Sequence, residues 1–493
     1  MTSPVAPAAT QPRADRFLIF GVLAVSLLTF VMQFAMVSVS LADVIDDLDA
    51  PLRWGGWVLT IFMIGQVIAM PTAGRLSERF GARTVFAGGF GLFAAASLVA
   101  ALAPNIYVMI IARAAQGLAG GGLMPSGMSM IAEAFAEGRQ RAIGLFSSIL
   151  PFGAVAGPGV GGLISEHFGW RWTFAFHAPI GLLVLIAAFT ILPRGQRQGG
   201  QKVDIAGIGL LAVALSSLIY ALTELGLRDA DPNMAVVAVT LVGSAVTWGL
   251  LVRHELRTQT PLIDLDLLRR REFVAPNAIS FFFGFCWIGA FSLLPLYVRT
   301  AYDLGPAASG ALMAPRAGLM GLTSMAASMV ILRTGYRKPI ATGLFGLSLV
   351  LFLVSLGIHD PTILGVSIES FWWLFGVVIM GGFFFGMANP SLQNASMDIA
   401  PDRIASIAGL RGMFQTIGGT MGISISVLVA SRAATTADGL QLAYRSYALI
   451  MLFVPLFVLA IAESARRRSA APEASRVTAA DRPAMERAGG DGA

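Results

Sequence analysis

The chain alternates long apolar stretches with short polar ones. Apolar runs lie near 17–41, 54–73, 84–103, 106–131, 142–164, 172–192, 205–224, 234–252, 274–298, 307–331, 339–358, 370–395, 404–430 and 446–462. An α-helix rises 1.5 Å per residue, so roughly 20 apolar residues cross the roughly 30 Å of hydrocarbon in a bilayer. The pattern therefore predicts an all-α integral membrane protein, a bundle of about fourteen transmembrane helices. The first run follows Arg13 and Arg16, is too long for the core of a secretion signal, and reads as a retained span.

Composition agrees. Of 493 residues, 56% are hydrophobic and 13% charged, which leaves too little polar surface to cover a water-soluble fold. The net charge of +6 does not point to nucleic acid, because the basic residues gather in short clusters between the runs. Twenty-five of the 34 lie in the tails and alternate loops, six on the other side, and Arg113, Arg316 and Arg411 within runs. That bias places both termini in the cytoplasm and the acidic loop Asp43, Asp46, Asp47, Asp49 outside. Only Lys202 and Lys338 are lysines, a usage that points to a GC-rich bacterial source. The single cysteine, Cys286, reads as a small apolar residue. The Ala/Arg/Glu-rich tail from about 464 reads as disordered, with Arg466, Arg467 and Arg468 set to meet anionic headgroups.

The runs also repeat. Arg79–Arg83 and Arg333–Arg337 both fit R-x-G-x-R, after the second and tenth runs. Gly117, Gly121, Pro125 and Ser126 in the fourth run match Gly382, Gly386, Pro390 and Ser391 in the twelfth. The fifth and thirteenth runs are both Gly-rich. This predicts a cytoplasmic N-tail over 1–16, a six-helix half over 17–195, a two-helix insert over 196–260, a second six-helix half over 261–463 and a tail over 464–493. Two parallel halves around a midplane site suit alternating access.

Three motifs carry candidate mechanism. In GRLSERFGAR, Gly74 allows close helix approach, Glu78 can pair with a cation in one state, and Arg79, Gly81 and Arg83 sit at helix ends. In RAAQGLAGGG, Arg113 lies inside a span, where charge is expensive unless it faces protein or a water-filled cavity, and Gln116 shares its face. In GAVAGPGVGG, Gly153, Gly157, Pro158, Gly161 and Gly162 suit a hinge or a tight contact between halves.

These motifs, at these spans and in this order, resemble the signatures of the major facilitator superfamily. GWRWTFAFHAPIG (169–181), DIAGIGLL (204–211), PLIDLDLL (261–268) and LLPLYVRTAYDLGPAASGALMAPRAGLM (293–320) are similar to its fourteen-span drug:proton antiporter branch. The resemblance covers about 17–460 and implies a 6 + 2 + 6 helix bundle that exports amphipathic compounds in exchange for protons. Two positions depart from the branch: Gln33 stands where it usually has aspartate, and His177 where it usually has asparagine. No carboxylate lies near the middle of any span; Asp43, Glu133, Asp204, Glu224 and Asp398 all sit at span ends. Asp43, Glu224 and His177 are the candidates for a titrating group, with a structural role for His177 the stronger reading.

The substrate and coupling candidates are Gln33, Gln66, Arg113, Gln116, Arg316, Asn389, Arg411 and Gln415, with Gln393 as a further pore-lining position. Arginines without opposing carboxylates favour neutral or weakly acidic amphiphiles over multivalent cations. Trp287, Phe282, Phe283, Trp372 and Phe385 are candidates to stack on such a molecule, against the blander role of packing. The chain has no phosphate-cradling loop, no H-E-x-x-H and no catalytic cluster, so a pump, an enzyme and a metal site are not expected. No cofactor is expected; a proton gradient is the energy source the resemblance implies. The expected partners are a small-molecule substrate and membrane lipids, with a periplasmic adaptor left open and a monomer expected. The expected place is the bacterial inner membrane. An uncoupled facilitator, an exporter of an endogenous amphipathic metabolite, and a channel or sensor remain the alternatives.

Overall fold

A computed structural model describes residues 13–135, 142, 145–146, 149–193, 204–226, 232–258, 271–363, 365–397 and 404–460. The tails, the linker before Asp204, the PLIDLDLL segment and Asp398 lie outside the described residues. The elements are α1 (Arg13–Asp47), α2 (Leu52–Phe80), α3 (Ala82–Ala101), α4 (Ile106–Gly120), α5 (Leu123–Ala134), α6 (Ile149–Phe168), α7 (Trp170–Ala175), α8 (His177–Thr190), α9 (Ile205–Leu225) and α10 (Met234–Glu255). Then come α11 (Arg271–Phe283), a π turn (Gly284–Ile288), α12 (Gly289–Ser292), α13 (Leu294–Tyr302), α14 (Pro306–Thr334), α15 (Arg337–Ser355), α16 (Ser370–Met397), α17 (Ile404–Arg432), α18 (Thr436–Phe453) and a 3-10 turn (Val454–Ala460). A two-residue hairpin pairs Thr362–Ile363 with Val366–Ser367 between α15 and α16.

Among the described residues, eleven helices are long and apolar enough to cross a membrane, and Ile106–Gly120 is a shorter apolar helix. The chain is a multi-pass membrane protein. The predicted runs 142–164 and 307–331 overlap α6 and α14, which are not among the eleven.

The packing repeats. α1 packs on α6, α2 on α4, α3 on α4 and α3 on α8. Later in the chain the π turn and α11 pack on α17, α14 on α16, α15 on α16 and α15 on α18. Glycines set these approaches, because only a missing Cβ lets backbones come so close. A Cβ on Gly117 would lie 2.1 Å from the Phe62 carbonyl oxygen, and one on Gly382 2.1 Å from that of Arg316. Likewise one on Gly418 would lie 2.0 Å from the Phe281 oxygen.

The two R-x-G-x-R loops match in detail. Gly81 (φ 88°) and Gly335 (φ 73°) each turn one helix into the next in a region L side chains avoid. The second arginine of each donates to a carbonyl at the end of a neighbouring segment: Arg83 to Phe189, and Arg337 to Leu459 at 3.0 Å. Cations at helix C-termini meet the partial negative charge of unpaired carbonyls. We expect Gly81→Ala to cost about 1 kcal/mol or more through left-handed strain. A thermal unfolding scan of the purified protein checks this, with Gly88→Ala, where nothing lies within 4 Å, as the neutral control.

Candidate transport pathway and gate

The two helix sets meet along α6 and α14 and along α2 and α17, and polar contacts join them at the end that carries Asp43. Across α6 and α14, Glu166 accepts from the Ala307 N–H at 3.0 Å, and a Cβ on Gly310 would lie 2.3 Å from the Pro158 carbonyl oxygen. Across α2 and α17, a Cβ on Gly56 would meet Val427 at 2.8 Å, and one on Gly419 would meet Met63 at 2.9 Å. Arg299 of α13 closes the same end. It donates to Asp43, and to Asp46 at 3.1 Å, while Ser165 donates to the other Asp43 oxygen at 2.7 Å. Arg171 pairs with Asp47 beside them. Asp43, Asp46, Asp47, Ser165, Glu166 and Arg299 line a cleft of about 710 Å³ together with Gly169, Trp170 and Asp303. Toward the other end, Cβ atoms on Gly318, Gly321 and Gly412 would meet nothing within 4 Å.

Sequence separation hides this gate: Arg299 and Asp43 are 256 residues apart. The acidic loop was visible, but Arg299, Ser165 and Glu166 carry no local signal. The Arg299 side chain is 35% exposed and that of Asp46 66%, so each ion pair contributes only about 0.2–1 kcal/mol. Accordingly Arg299→Gln should raise labelling of a cysteine introduced at Leu304, in the cleft wall, by a few-fold without unfolding the protein. Labelling unchanged from wild type would count against a sealing role.

The motif residues divide. Gly153, Gly157 and Gly161 all face α1, where built Cβ atoms would lie 2.9 Å from Val31, 2.8 Å from Ala35 and 2.6 Å from Met36. Gly162 faces α14 instead, 2.5 Å from the Pro306 oxygen, and Pro158 sits inside α6 against Gly310. This segment thus works partly as a joint between sets and partly as a seam within one. Arg79 stacks at 5.2 Å on Phe80, and Arg83 caps its own neighbour, so neither crosses to the other set here. Gly74 and Glu78 lie in α2, but their side-chain positions fall outside what the structure describes.

Arg113 is fully buried. Its Nε donates to the Val58 carbonyl at 2.8 Å and one Nη to Gln116 Oε1 at 2.9 Å. Gln116 passes the chain on to Ser97 at 2.8 Å, and the Phe62 ring lies 4.1 Å below the guanidinium. Arg411 meets Asn389 at 3.4 Å, joining α17 to α16. Arg316 lies over Phe291 at 4.7 Å and Trp287 at 5.7 Å. Among the described residues none of the three arginines has an ion pair. Gln66 and Gln415 are half-buried on α2 and α17, which pack together. Gln33 and His177 are fully enclosed, and His177 Nε2 lies 3.2 Å from the Thr29 carbonyl.

Of the aromatic candidates, Trp287, Phe283 and Phe385 form one cluster, with Phe283–Phe385 centroids 5.0 Å apart. Phe282 stacks on Phe457, and Trp372 is 57% exposed, pointing away from the core.

Two helix sets that repeat one packing scheme, joined at one end by ion pairs and carrying buried arginines without ion pairs, suit a membrane transporter. The sequence matches the Major Facilitator Superfamily over residues 23–423, and the chain belongs to that family. It is a transporter, not an enzyme. It is similar to the multidrug transporter protein MdtP of Bacillus subtilis (27% identity, covering 84% of this chain and 75% of the relative). It is also similar to a multidrug resistance protein B homolog of Mycobacterium tuberculosis (28%, 81% and 73%). The methylenomycin A resistance protein of Streptomyces coelicolor aligns over 90% of this chain and 92% of its own length at 28% identity.

Proposed function

We propose that this protein exports neutral or weakly acidic amphipathic small molecules from a bacterial cell, by proton antiport through alternating access. The observation that carries the reading is the seal at the Asp43 end, built from both helix sets, against open space around Gly318, Gly321 and Gly412 at the other. We place all fourteen predicted segments across the cell membrane as six, two and six, with both termini cytoplasmic and the protein a monomer. The seal is then extracellular, and the central site opens inward. The names of the relatives supply the substrate class, and Arg316 and Arg411 supply its charge preference.

Asp43 serves the seal in this reading, not proton carriage. The test is efflux of matched anionic and cationic compounds from vesicles, with and without an imposed pH gradient. Expected is faster efflux of the acidic compound, and a loss of transport when the gradient is abolished. Gradient-independent flux would favour the second reading, an uncoupled facilitator, which Gln33 in place of a carboxylate supports.

A further inference from the structure

We propose that the first helix set binds a small inorganic anion of the halide class between Arg113 and Gln33. The inference stands on buried groups that lack partners, and it does not depend on what the protein exports.

Arg113 carries a full charge where none of its side chain meets solvent. Two of its nitrogens are used, by Val58 and Gln116, and the second Nη has no partner. The sequence offers no counter-charge nearby: 17–42, 52–77, 82–101, 106–120 and 177–190 contain no aspartate or glutamate. The nearest acid along α1, Asp43, is ten residues past Gln33, about 15 Å along the helix, and is held by Arg299. A buried charge without a counter-ion costs several kcal/mol, far more than an unmet hydrogen bond between neutral groups.

Gln33 of α1 brings two further unmet groups to the same aromatic cluster. It is fully buried, and both its amide nitrogen and its amide oxygen lack partners. Its place on α1 is fixed on two sides. Phe30 and Phe34 stack on Phe62 at 5.6 and 5.8 Å, and Phe62 is the ring beneath Arg113. One turn before Gln33, the Thr29 carbonyl meets His177. An anion here would accept N–H donation from Arg113 and Gln33 and neutralise the guanidinium. Water could meet the hydrogen bonds but not the charge. Complete enclosure restricts the occupant to roughly monatomic size.

The purified full-length protein should unfold at a higher temperature in sodium chloride or bromide than in sodium gluconate at equal ionic strength. The expected difference is a few degrees and saturates with halide, as for a ligand that binds only the folded state. Gln33→Glu, which supplies a carboxylate of the same shape, should abolish the difference, and Arg113→Gln should abolish it as well. Anomalous scattering from a bromide-soaked crystal should place a peak between Arg113 and Gln33. Equal unfolding temperatures in wild type, a full halide effect retained in Gln33→Glu, or a bromide peak only elsewhere would each overturn the proposal. Because the readouts are stability and scattering, failure of the export assay leaves them unaffected.

Discussion

Gly117→Val and Gly382→Val should each strongly destabilise the protein, and by similar amounts. At both sites the added Cβ would lie 2.1 Å from a backbone carbonyl, Phe62 in one case and Arg316 in the other. A backbone cannot swing aside as a side chain can, so the helices must separate. Overpacking in a tight interior costs typically 1–3 kcal/mol, and a fixed backbone puts these sites at or above the top of that range. We expect apparent melting temperatures lower by about 5 °C or more, with little mature protein in membranes. The pairing is informative. α4 on α2 and α16 on α14 are equivalent contacts in the two sets, so a severe effect at one site and a mild one at the other would contradict the duplication.

The second large effect concerns Arg113. We expect Arg113→Leu to lose export almost completely while thermal stability changes by no more than about 2 kcal/mol. Two terms oppose each other. Removing Arg113 leaves Gln116 Oε1 and the Val58 carbonyl without their donor, costing about 1–3 kcal/mol. It also removes an unpaired buried charge, which stabilises by a comparable amount. Unfolding scans and vesicle efflux on the same preparation separate the cases. A purely structural arginine would lose both signals together.

The sequence reveals some of these features and hides others for physical reasons. Apolar length located the helices, because the hydrocarbon slab imposes it, but not their ends. α1 runs to Asp47 although the apolar run stops near 41, since a helix continues into polar headgroups without needing apolar side chains. The last run was read from 446, yet α18 begins at Thr436, capped by Thr435, whose hydroxyl accepts from the Asp438 N–H. Asp438, Gln441 and Arg445 had interrupted the apolar signal. The π turn at Gly284–Ile288 and the break at Leu293 divide what reads as one run; only Pro295, at the start of α13, marked the second.

The Arg113–Gln116 bond was legible because three residues on a helix share a face. The Asp43–Arg299 bridge and the Arg411–Asn389 contact were not, since each depends on how separate helices dock. Gln33 reads as a substrate or coupling candidate, and its complete burial in the structure is not something the sequence announces. Period alone places a residue on a face but does not say what the face meets.

α9 touches both helix sets near the sealed end. Trp57 of α2 donates to Thr223 at 2.6 Å, and Arg432 of α17 donates to the Leu225 carbonyl at 2.6 Å. A segment moored to two bodies travels with one and shears from the other when they part. Any widening of that mouth must therefore break one of these two moorings or carry α9 along with its strain, which makes α9 a mechanical stop on how far the two sets can spread there.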